Sequence, residues 1–325
     1  VNLTSNETAL AKSGISGGST DRDSALNIVN YAKVFSYTAG SRTTLNVLDG
    51  AKLVIGDGSQ NHIFNNGGTA TVKGTLEFNL TGGQHGVTNA LGNMTVDGGT
   101  VVATSGSGSS AYVLAATAGK TVTLKNGAKA KVTTATDFLC ISLGGTFDVQ
   151  DTSKIDTSKI VFYNSNDDSS GTSRAVLKLA SGANLTSKAD ILVNGKGALL
   201  TTARLEFAKD SYEFGMLEFL RVSNIEIVLN GSSISFTGVR SYSGSRDCDS
   251  NLIFTDFENG LVKLGINESI LAADGTISLG VANTSLKISG LTKDGKALND
   301  GWSIDSNGYL FNLGAVVPEP AEWAA

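Results

Sequence analysis

A pattern of two short apolar runs joined by a tight hinge recurs along this chain. Its clearest copy is TTLNVLDGAKLVIGDG, residues 43–58, which is hinged at Asp49-Gly50. The apolar positions of this copy are Leu45, Val47, Leu53 and Ile55. The hinge can be followed along the chain as Gly50, Gly74, Gly99, Gly127, Thr152, Gly182, Asp210, Gly231 and Gly260. Successive hinges lie 21 to 30 residues apart, about 26 on average, and a period of this length is typical of stacked structural repeats.

Several copies carry a third apolar run about 12 residues beyond the hinge. These runs are His62-Ile63-Phe64, His85-Gly86-Val87, Tyr112-Val113-Leu114, Leu139-Cys140-Ile141 and Ile160-Val161-Phe162. Three short strands per repeat predict an all-β fold, a parallel β-helix (β-solenoid) of about nine rungs. Each strand would pair with its equivalent one rung along, about 4.8 Å away, so that the apolar positions form shared interior columns.

An antiparallel sandwich or barrel is the alternative, because its strands also follow one another at spacings of 8 to 12 residues. The position of proline favours the solenoid. The only two prolines, Pro318 and Pro320, lie in the tail. An inner strand of a stack cannot lose a ladder N–H group, so proline is expected to be absent from the repeats.

The two ends of the chain depart from the repeat and divide it into four parts. Residues 1–42 are predicted to be an N-terminal cap, and the spacing of apolar residues within them also allows a short helix over Asp21–Lys33. The solenoid is assigned to residues 43–265. Residues 266–316 contain Asp-Gly and Asn-Gly pairs between alternating runs, which predict an antiparallel hairpin cap. Residues 317–325 form a tail.

Composition excludes some classes of partner. The 325 residues include 39 Gly and carry a net charge of −5, with no run of Lys or Arg. Such a chain has no basic field to attract nucleic acid or anionic lipid. There is no apolar run of 18 residues, so no membrane span is predicted in this sequence, and the start at Val1 suggests a product whose leader has been removed.

The two cysteines, Cys140 and Cys248, are too few for a disulfide scaffold or a four-ligand zinc site. Cys140 lies in the apolar run DFLCISLG and is predicted to be buried, whereas Cys248 lies in the polar stretch SRDCDSN and is predicted to be exposed. A disulfide between them is therefore disfavoured but left open.

Candidate sites in the body of the chain are each weak. His62 and His85 lie nearly one rung apart and could share a face, although no Cys or Glu accompanies them. Local carboxylate clusters that could hydrolyse glycosides are Asp167-Asp168, Asp247/Asp249 and Asp256/Glu258. The loops 164–170 and 241–251 could bind Ca²⁺ through oxygen atoms, but their spacing matches no standard calcium loop. We therefore predict no catalytic, cofactor or metal residues.

The end of the chain, GAVVPEPAEWAA, carries the clearest resemblance to a known family. Val317, Pro318, Glu319 and Pro320, followed by Trp323, resemble the start of the sorting tail of PEP-CTERM proteins. The approach GWSIDSNGYLFNLG also resembles that family. In the family this motif precedes a membrane-spanning segment and a basic cluster, and an exosortase processes it; the sequence stops at Ala325 before either. The resemblance implies a bacterial protein exported to the cell surface or matrix, and it implies no activity.

These features favour a non-enzymatic structural or adhesive protein of the bacterial cell surface or extracellular matrix. Head-to-tail self-assembly into filaments is plausible because the ends of a solenoid present strand edges. The expected partners are further copies of the chain, extracellular polysaccharide and a sorting enzyme, without a cofactor. The alternatives are a β-helix polysaccharide lyase or hydrolase, by fold analogy alone, and a carbohydrate-binding surface protein that uses Tyr112 or Tyr163.

Overall fold

The computed structural model describes residues 2–3, 15–17, 23–56, 64–79, 89–90, 93–103, 112–133, 138–163, 173–194, 201–220, 222–241, 248–279 and 284–315. Within these ranges it contains no α-helix, and its helical segments there are two short 3-10 turns, Glu268–Ile270 and Leu313–Ala315. Nearly all other regular structure is parallel β-sheet.

Seven successive rungs, which begin at Ser24, each contribute one strand to each of three parallel sheets. We number the sheets 1, 2 and 3 in the order in which each rung visits them. In chain order the strands up to residue 194 are β1 (Asn2–Leu3), β2 (Ile15–Gly17), β3 (Ser24–Ile28), β4 (Tyr31–Val34), β5 (Tyr37–Ala39), β6 (Thr43–Val47), β7 (Lys52–Ile55), β8 (Phe64–Asn66), β9 (Thr69–Val72), β10 (Thr75–Phe78), β11 (Asn89–Ala90), β12 (Asn93–Asp97), β13 (Thr100–Ala103), β14 (Tyr112–Ala116), β15 (Thr121–Lys125), β16 (Lys129–Val132), β17 (Phe138–Ser142), β18 (Thr146–Val149), β19 (Lys154–Asp156), β20 (Lys159–Tyr163), β21 (Arg174–Leu179), β22 (Asn184–Leu185) and β23 (Asp190–Asn194). The predicted parallel β-solenoid is confirmed, with seven complete three-stranded rungs rather than about nine.

Every strand in these rungs pairs with its equivalent one rung along, so each interior position repeats down the stack. Leu45 lies beside Ala70 of the next rung, and Ala70 lies beside Met94 of the rung after that. The four predicted interior residues Leu45, Val47, Leu53 and Ile55 are each at most 1 % exposed. Burial of one apolar column after another is the main stabilising contribution in such a stack.

The predicted hinges turn the chain from sheet 1 to sheet 2 in two different ways. Gly50, Gly127 and Gly182 adopt φ of +72°, +74° and +86°, a left-handed conformation that suits glycine. Gly74 instead lies against the preceding rung, where a Cβ atom would overlap the carbonyl oxygens of Ala51 and Leu48. The same hinge pattern therefore marks a left-handed φ in some rungs and a close approach of two backbone segments in others.

Gly74→Ala is expected to destabilise the stack by about 1–3 kcal/mol, because the added methyl group has to displace backbone of the neighbouring rung. Gly50→Asn is the control: its Cβ would meet no atom within 4 Å, and asparagine tolerates a left-handed φ, so the expected cost is below about 1 kcal/mol. Urea unfolding of both variants measures the difference, and equal midpoints would contradict the close approach.

Beyond residue 194 the rungs lose their sheet 2 strand and become two-sided. The strands of this part are β24 (Thr201–Phe207), β25 (Ser211–Leu220), β26 (Ser223–Val228), β27 (Ser233–Ser241), β28 (Cys248–Thr255), β29 (Val262–Lys263), β30 (Thr276–Ser278), β31 (Thr284–Leu291), β32 (Ala297–Leu298), β33 (Trp302–Ile304) and β34 (Leu310–Asn312). Strand β25 reaches ten residues, and only its second half pairs with β23. The prediction of three strands per rung therefore does not hold in this region.

Aromatic side chains fill the core where the rungs change shape. The ring of Phe207 lies 4.9 Å from that of Tyr212 and 5.8 Å from that of Phe214. The ring of Phe214 stacks on Phe236 at 5.3 Å. Large rings are suited to filling an interior that two sheets, rather than three, enclose.

The C-terminal end carries the antiparallel strands predicted for residues 266–316. Strand β31 extends sheet 1 in parallel to β28, and it pairs in antiparallel fashion with β30 and β32. Strands β33 and β34 form a hairpin, and Trp302 of that hairpin packs edge-on against Phe257 with 5.0 Å between ring centroids. These elements cover the last rungs of the core.

The N-terminal segment differs from the prediction. The helix considered for Asp21–Lys33 is wrong: β3 and β4 lie there and pair in parallel with β6 and β7. Ile28 and Ala32 are buried and the intervening Val29 is 41 % exposed, because the chain turns a corner between two strands. The solenoid thus continues into the segment assigned to the cap, at least as far as β3.

Candidate functional site

The outer side of sheet 1 carries a polar surface over most of the first half of the solenoid, and its charged residues there are Asp148 and the ion pair of Asp97 with Lys125. We call it the hydroxyl face, and its ten residues are Thr44, Asn46, Thr69, Thr71, Asn93, Thr95, Thr121, Thr123, Thr146 and Asp148. They form two rows that follow the strand register from β6 to β18. Neighbours along a row bond to one another: the Thr44 and Thr69 hydroxyl oxygens lie 3.4 Å apart, and Asn46 Nδ2 donates to Asn27 Oδ1 at 2.8 Å. The face presents regularly spaced hydroxyl and amide groups with one carboxylate at its end.

The same side of sheet 1 becomes strongly charged in β21, β24 and β26. Arg174 donates twice to the Glu226 carboxylate, at 2.8 and 2.9 Å, and Arg204 donates to it at 3.0 Å. Arg204 also donates to Glu206 Oε1 at 2.6 Å. Lys178 Nζ lies 3.1 Å from Glu206 Oε2. Each carboxylate therefore has two cationic partners, and the charges are balanced along the stack rather than directed at a common point.

These contacts shift the pKa values of both acids. Burial by itself would raise the pKa of Glu226, but hydrogen bonds from Arg174 and Arg204 outweigh it, and the pKa is lowered. The pKa of Glu206 is lowered in the same way, against burial, by hydrogen bonds from Arg204 and Lys178. Both groups are thus held as carboxylates, the form that accepts hydrogen bonds, and neither is available as an acid near neutral pH.

Carboxylates also stabilise the corners between sheets 1 and 2. Asp151 accepts hydrogen bonds from the backbone N–H groups of Asn126, at 2.6 Å, and Gly127, at 3.1 Å. Although partial burial acts to raise it, the pKa of Asp151 is lowered by these N–H groups. Backbone hydrogen bonds from Ser211 and Gly182 lower the pKa of Asp210 at a later corner. Each corner acid joins two neighbouring segments of the backbone.

Acid is therefore expected to destabilise the protein. A carboxyl whose pKa is lower when folded contributes stability that is complete above its unfolded pKa, about 4, and is lost as the pH falls towards the folded value. The thermal midpoint should be nearly constant between about pH 7 and pH 5 and should fall below about pH 4. Glu226→Gln should start lower at neutral pH and lose less on acidification. A wild-type midpoint that stays constant to about pH 3 would be inconsistent with these pKa shifts.

The outer side of sheet 3 is buried along one row. Ala115, Cys140, Val161 and Leu192 follow one another in register, and each is at most 5 % exposed. The next residue in that row is Glu218, whose side chain is completely buried. A carboxylate at such a position requires charged or hydrogen-bonding partners.

Glu218 has two cationic partners. Lys159 Nζ lies 2.5 Å from Glu218 Oε2, and the lysine side chain is itself only 12 % exposed. Arg240 donates to Glu218 Oε1 through Nε at 2.7 Å and also through its Nη2 group. Lys159 further lies 3.9 Å from Asp190. This four-residue cluster is the most buried charged group that the described residues contain, and no pattern in the sequence indicated it.

Most of the residues considered as sites from the sequence lie outside the described residues. The sorting motif Val317, Pro318, Glu319 and Pro320 falls there, and so do both histidines, His62 and His85. Asp167, Asp168 and Asp247 fall there as well, and the side chains of Tyr112, Cys248 and Asp249 are not described. Of the calcium loops, 164–170 and most of 241–251 lie outside. These predictions remain predictions.

Four of the residues considered from the sequence are described in full. Asp256 adopts φ of +56° at the end of β28, and Glu258 is exposed in the following turn. Their positions are those of turn residues. Tyr163 is half-buried at the end of β20. Cys140 is a free thiol and fully buried, as predicted, and burial raises its pKa to about 12.

Cys140 is therefore expected to resist alkylation in the folded protein. In a Cys248→Ser variant, the thiolate fraction of Cys140 should be lower than that of an ordinary cysteine by roughly a thousandfold, given a pKa of about 12 against a usual value of 9.0. Iodoacetamide labelling followed by mass spectrometry should show slow modification in buffer and rapid modification in urea. Rapid labelling in buffer would contradict the burial.

Comparison with known proteins gave no match to any family model, curated protein or solved structure. Among the described residues no cluster of three or more His, Cys, Asp or Glu could hold a metal ion. The helices found in the same residues are too short to cross a lipid bilayer. A function for this chain therefore has to be inferred from the sequence and from the geometry of the described residues.

Proposed function

We propose that this chain is an exported structural or adhesive protein of the bacterial cell surface or extracellular matrix, with no catalytic role. The observation that carries the proposal is that outward-facing polar and charged side chains pair with their equivalents one rung away. The contact of Arg204 with Glu226 and the Asn46–Asn27 hydrogen bond are examples, and the two residues of each pair lie in direct register. Such pairing stiffens a rod, whereas catalysis by acids and bases needs groups that converge on one point.

The dimensions suit a spacer or a contact surface. Sheet 1 has twelve strands stacked in parallel register, from β1 to β31, which corresponds to a length of roughly 50 Å at about 4.8 Å per strand. The hydroxyl face occupies one side of this rod and carries little charge. A regular neutral surface is suited to extracellular polysaccharide, whose hydroxyl groups both donate and accept hydrogen bonds.

The surface location can be tested on cells that express the full-length precursor. Protease added to intact cells should remove the protein, and fractionation should find it outside the cytoplasm. A cytoplasmic control protein should survive the same treatment. Retention of the protein in the cytoplasm, protected from protease, would contradict export and the role proposed for the tail that begins at Val317.

The absence of catalysis needs its own test, because a polysaccharide lyase or hydrolase is the alternative. Purified protein incubated with acidic and neutral polysaccharides should release no reducing ends and no unsaturated products. Release of either product would reverse the proposal.

A more specific part of the proposal is that copies of the chain associate head to tail. Within the described strands the N-terminal ends of the sheets are formed by β1, β2 and β4, which can pair with a further strand. At the opposite end, the antiparallel strands β30 and β33–β34 cover the last rungs. Negative-stain microscopy and sedimentation at increasing concentration would show filaments if the ends associate, and dispersed monomers throughout would refute assembly.

A further inference from the structure

The second sheet is interrupted where the three-sided rungs end. Among the described strands β22 pairs with β19 alone, so its other edge is open. The first half of β25, Ser211–Phe214, pairs with β27 and forms no ladder with β22. A polar cavity of about 330 Å³ lies between them, lined by residues 184–188 and 211–213. We call this cavity the notch.

Hydrogen bonds hold the notch open at a fixed width. At one end Gly182 N–H donates to Asp210 Oδ2 at 3.2 Å. At the other end Gly215 N–H donates to the carbonyl oxygen of Ala189 at 2.9 Å, and the ladder between β23 and β25 resumes. The two strands are thus joined on both sides of the cavity and separated within it, so the site is preformed.

The backbone edges of the notch supply hydrogen-bonding groups. Asn184 and Thr186 donate to β19, at 3.0 and 2.9 Å, and because alternate residues of a strand face opposite edges, the N–H and C=O of Leu185 point towards the notch. On the facing strand, Asp210 O accepts from Ser233 N–H, so the backbone groups of Ser211 and Glu213 point towards the notch, where the N–H of Ser211 already donates to Asp210 Oδ1. A ligand between the strands would meet both donors and acceptors.

Side chains complete a lining that is polar and has no net charge. Lys188 Nζ and Glu213 Oε2 form an ion pair of 2.7 Å, and both side chains are more than half exposed. The hydroxyls of Thr186, Ser187 and Ser211 lie around the cavity, and Leu185 adds apolar surface, whereas the Tyr212 ring is buried in the core against Phe207. The single cation is already paired, which disfavours a phosphate, and its presence disfavours a metal ion.

We propose that the notch binds a neutral sugar unit. A sugar ring combines hydroxyl groups that donate and accept hydrogen bonds with apolar C–H faces, and this matches the strand edges, the hydroxyls and the partly exposed surface of Leu185. The volume is near the lower limit of about 300–1,000 Å³ for ligand sites, which suits one or two rings. The site does not depend on the proposed surface role, because it can be measured on purified protein.

The test is a titration of the full chain with neutral mono- and disaccharides, followed through backbone amide NMR signals. The amides of Leu185 and Glu213 should shift, with a dissociation constant on the order of 1 mM for at least one sugar. Ser187→Trp, which fills the cavity, should weaken binding at least tenfold. Ser278→Trp, at an exposed serine of β30 away from the notch, should bind as the wild type does.

Several outcomes would overturn the proposal. These are the absence of any shift at the two amides with all neutral sugars, equal binding by Ser187→Trp and wild type, or shifts there with sulfate or Ca²⁺ but not with sugars. Circular dichroism of Ser187→Trp distinguishes a blocked site from a misfolded chain. If that variant does not fold, Ser187→Phe and Ser211→Phe replace it under the same criteria.

Discussion

Val47→Asp is expected to unfold the solenoid, whereas Asn46→Asp, one residue away, should leave it folded. Val47 is 1 % exposed and lies in register with Ile28 on one side and Val72 on the other. A carboxylate there would be buried without a partner, so the expected loss is about 4 kcal/mol or more, a large part of the stability of an ordinary domain. Asn46 points outward, and its substitution affects one hydrogen bond, to Asn27.

Far-ultraviolet circular dichroism and urea unfolding measure this difference. Val47→Asp should give little cooperative β-structure, and Asn46→Asp should unfold within about 1 kcal/mol of wild type. Val47→Ala serves as the control for volume, with an intermediate loss from the cavity it leaves. Equal tolerance of Asp at both positions would refute the assignment of Val47 to the interior.

Glu218→Gln is expected to cost about 3–5 kcal/mol, because it leaves the ammonium group of Lys159, 12 % exposed, without its closest anion. Asp190, 3.9 Å from Lys159, compensates only in part. Glu213→Gln is the matched control: its ion pair with Lys188 is exposed on both sides and should contribute less than about 1 kcal/mol. Urea unfolding of the two single variants gives the comparison.

A double variant separates charge burial from loss of packing at this cluster. Lys159→Met combined with Glu218→Leu removes the buried pair and continues the apolar row that ends at Leu192. Arg240 can turn to solvent, since more than half of its side chain is already exposed. The double variant should therefore recover most of the stability lost in Glu218→Gln. If the double variant is as unstable as Glu218→Gln, the Lys159–Glu218 pair contributes more to stability than the mutual neutralisation of its two charges.

Much of the fold could be predicted from the sequence because the repeat is visible in both hinge and core positions. Asp49-Gly50 alone would suggest an antiparallel hairpin, and only the recurrence of the hinge with a third run indicates stacking. The sequence allows a short helix at the N-terminus, which the structure does not form, because Ile28 and Ala32 fit a helical period as well as two strands joined by a corner. The exposure of Val29 decides between the helix and the two strands, and this exposure cannot be read from the sequence.

The loss of sheet 2 had a weaker signal in the sequence, and the burial of Glu218 had none. Asp210 stands where most hinges have glycine, and the next hinge follows after 21 residues, the shortest interval of the series. These two facts together indicate a rung that lacks one strand. Glu218 stands between Leu217 and Phe219, so alternation correctly places it outward. What alternation cannot show is that the outer side of sheet 3 is itself buried at this point.

The same register that builds the columns also determines how the chain can fold. Each strand of the three-sided rungs finds its partner about one repeat away in sequence, so no contact there requires the distant end of the chain. Repeat proteins of this kind can fold progressively from one end, each completed rung serving as the template for the next. The antiparallel strands β30 and β33–β34 are synthesised after all the strands of the three-sided rungs. Until they dock, the edges of the last rungs stay able to pair with other chains, so this cap covers them only after the rungs beneath it are complete.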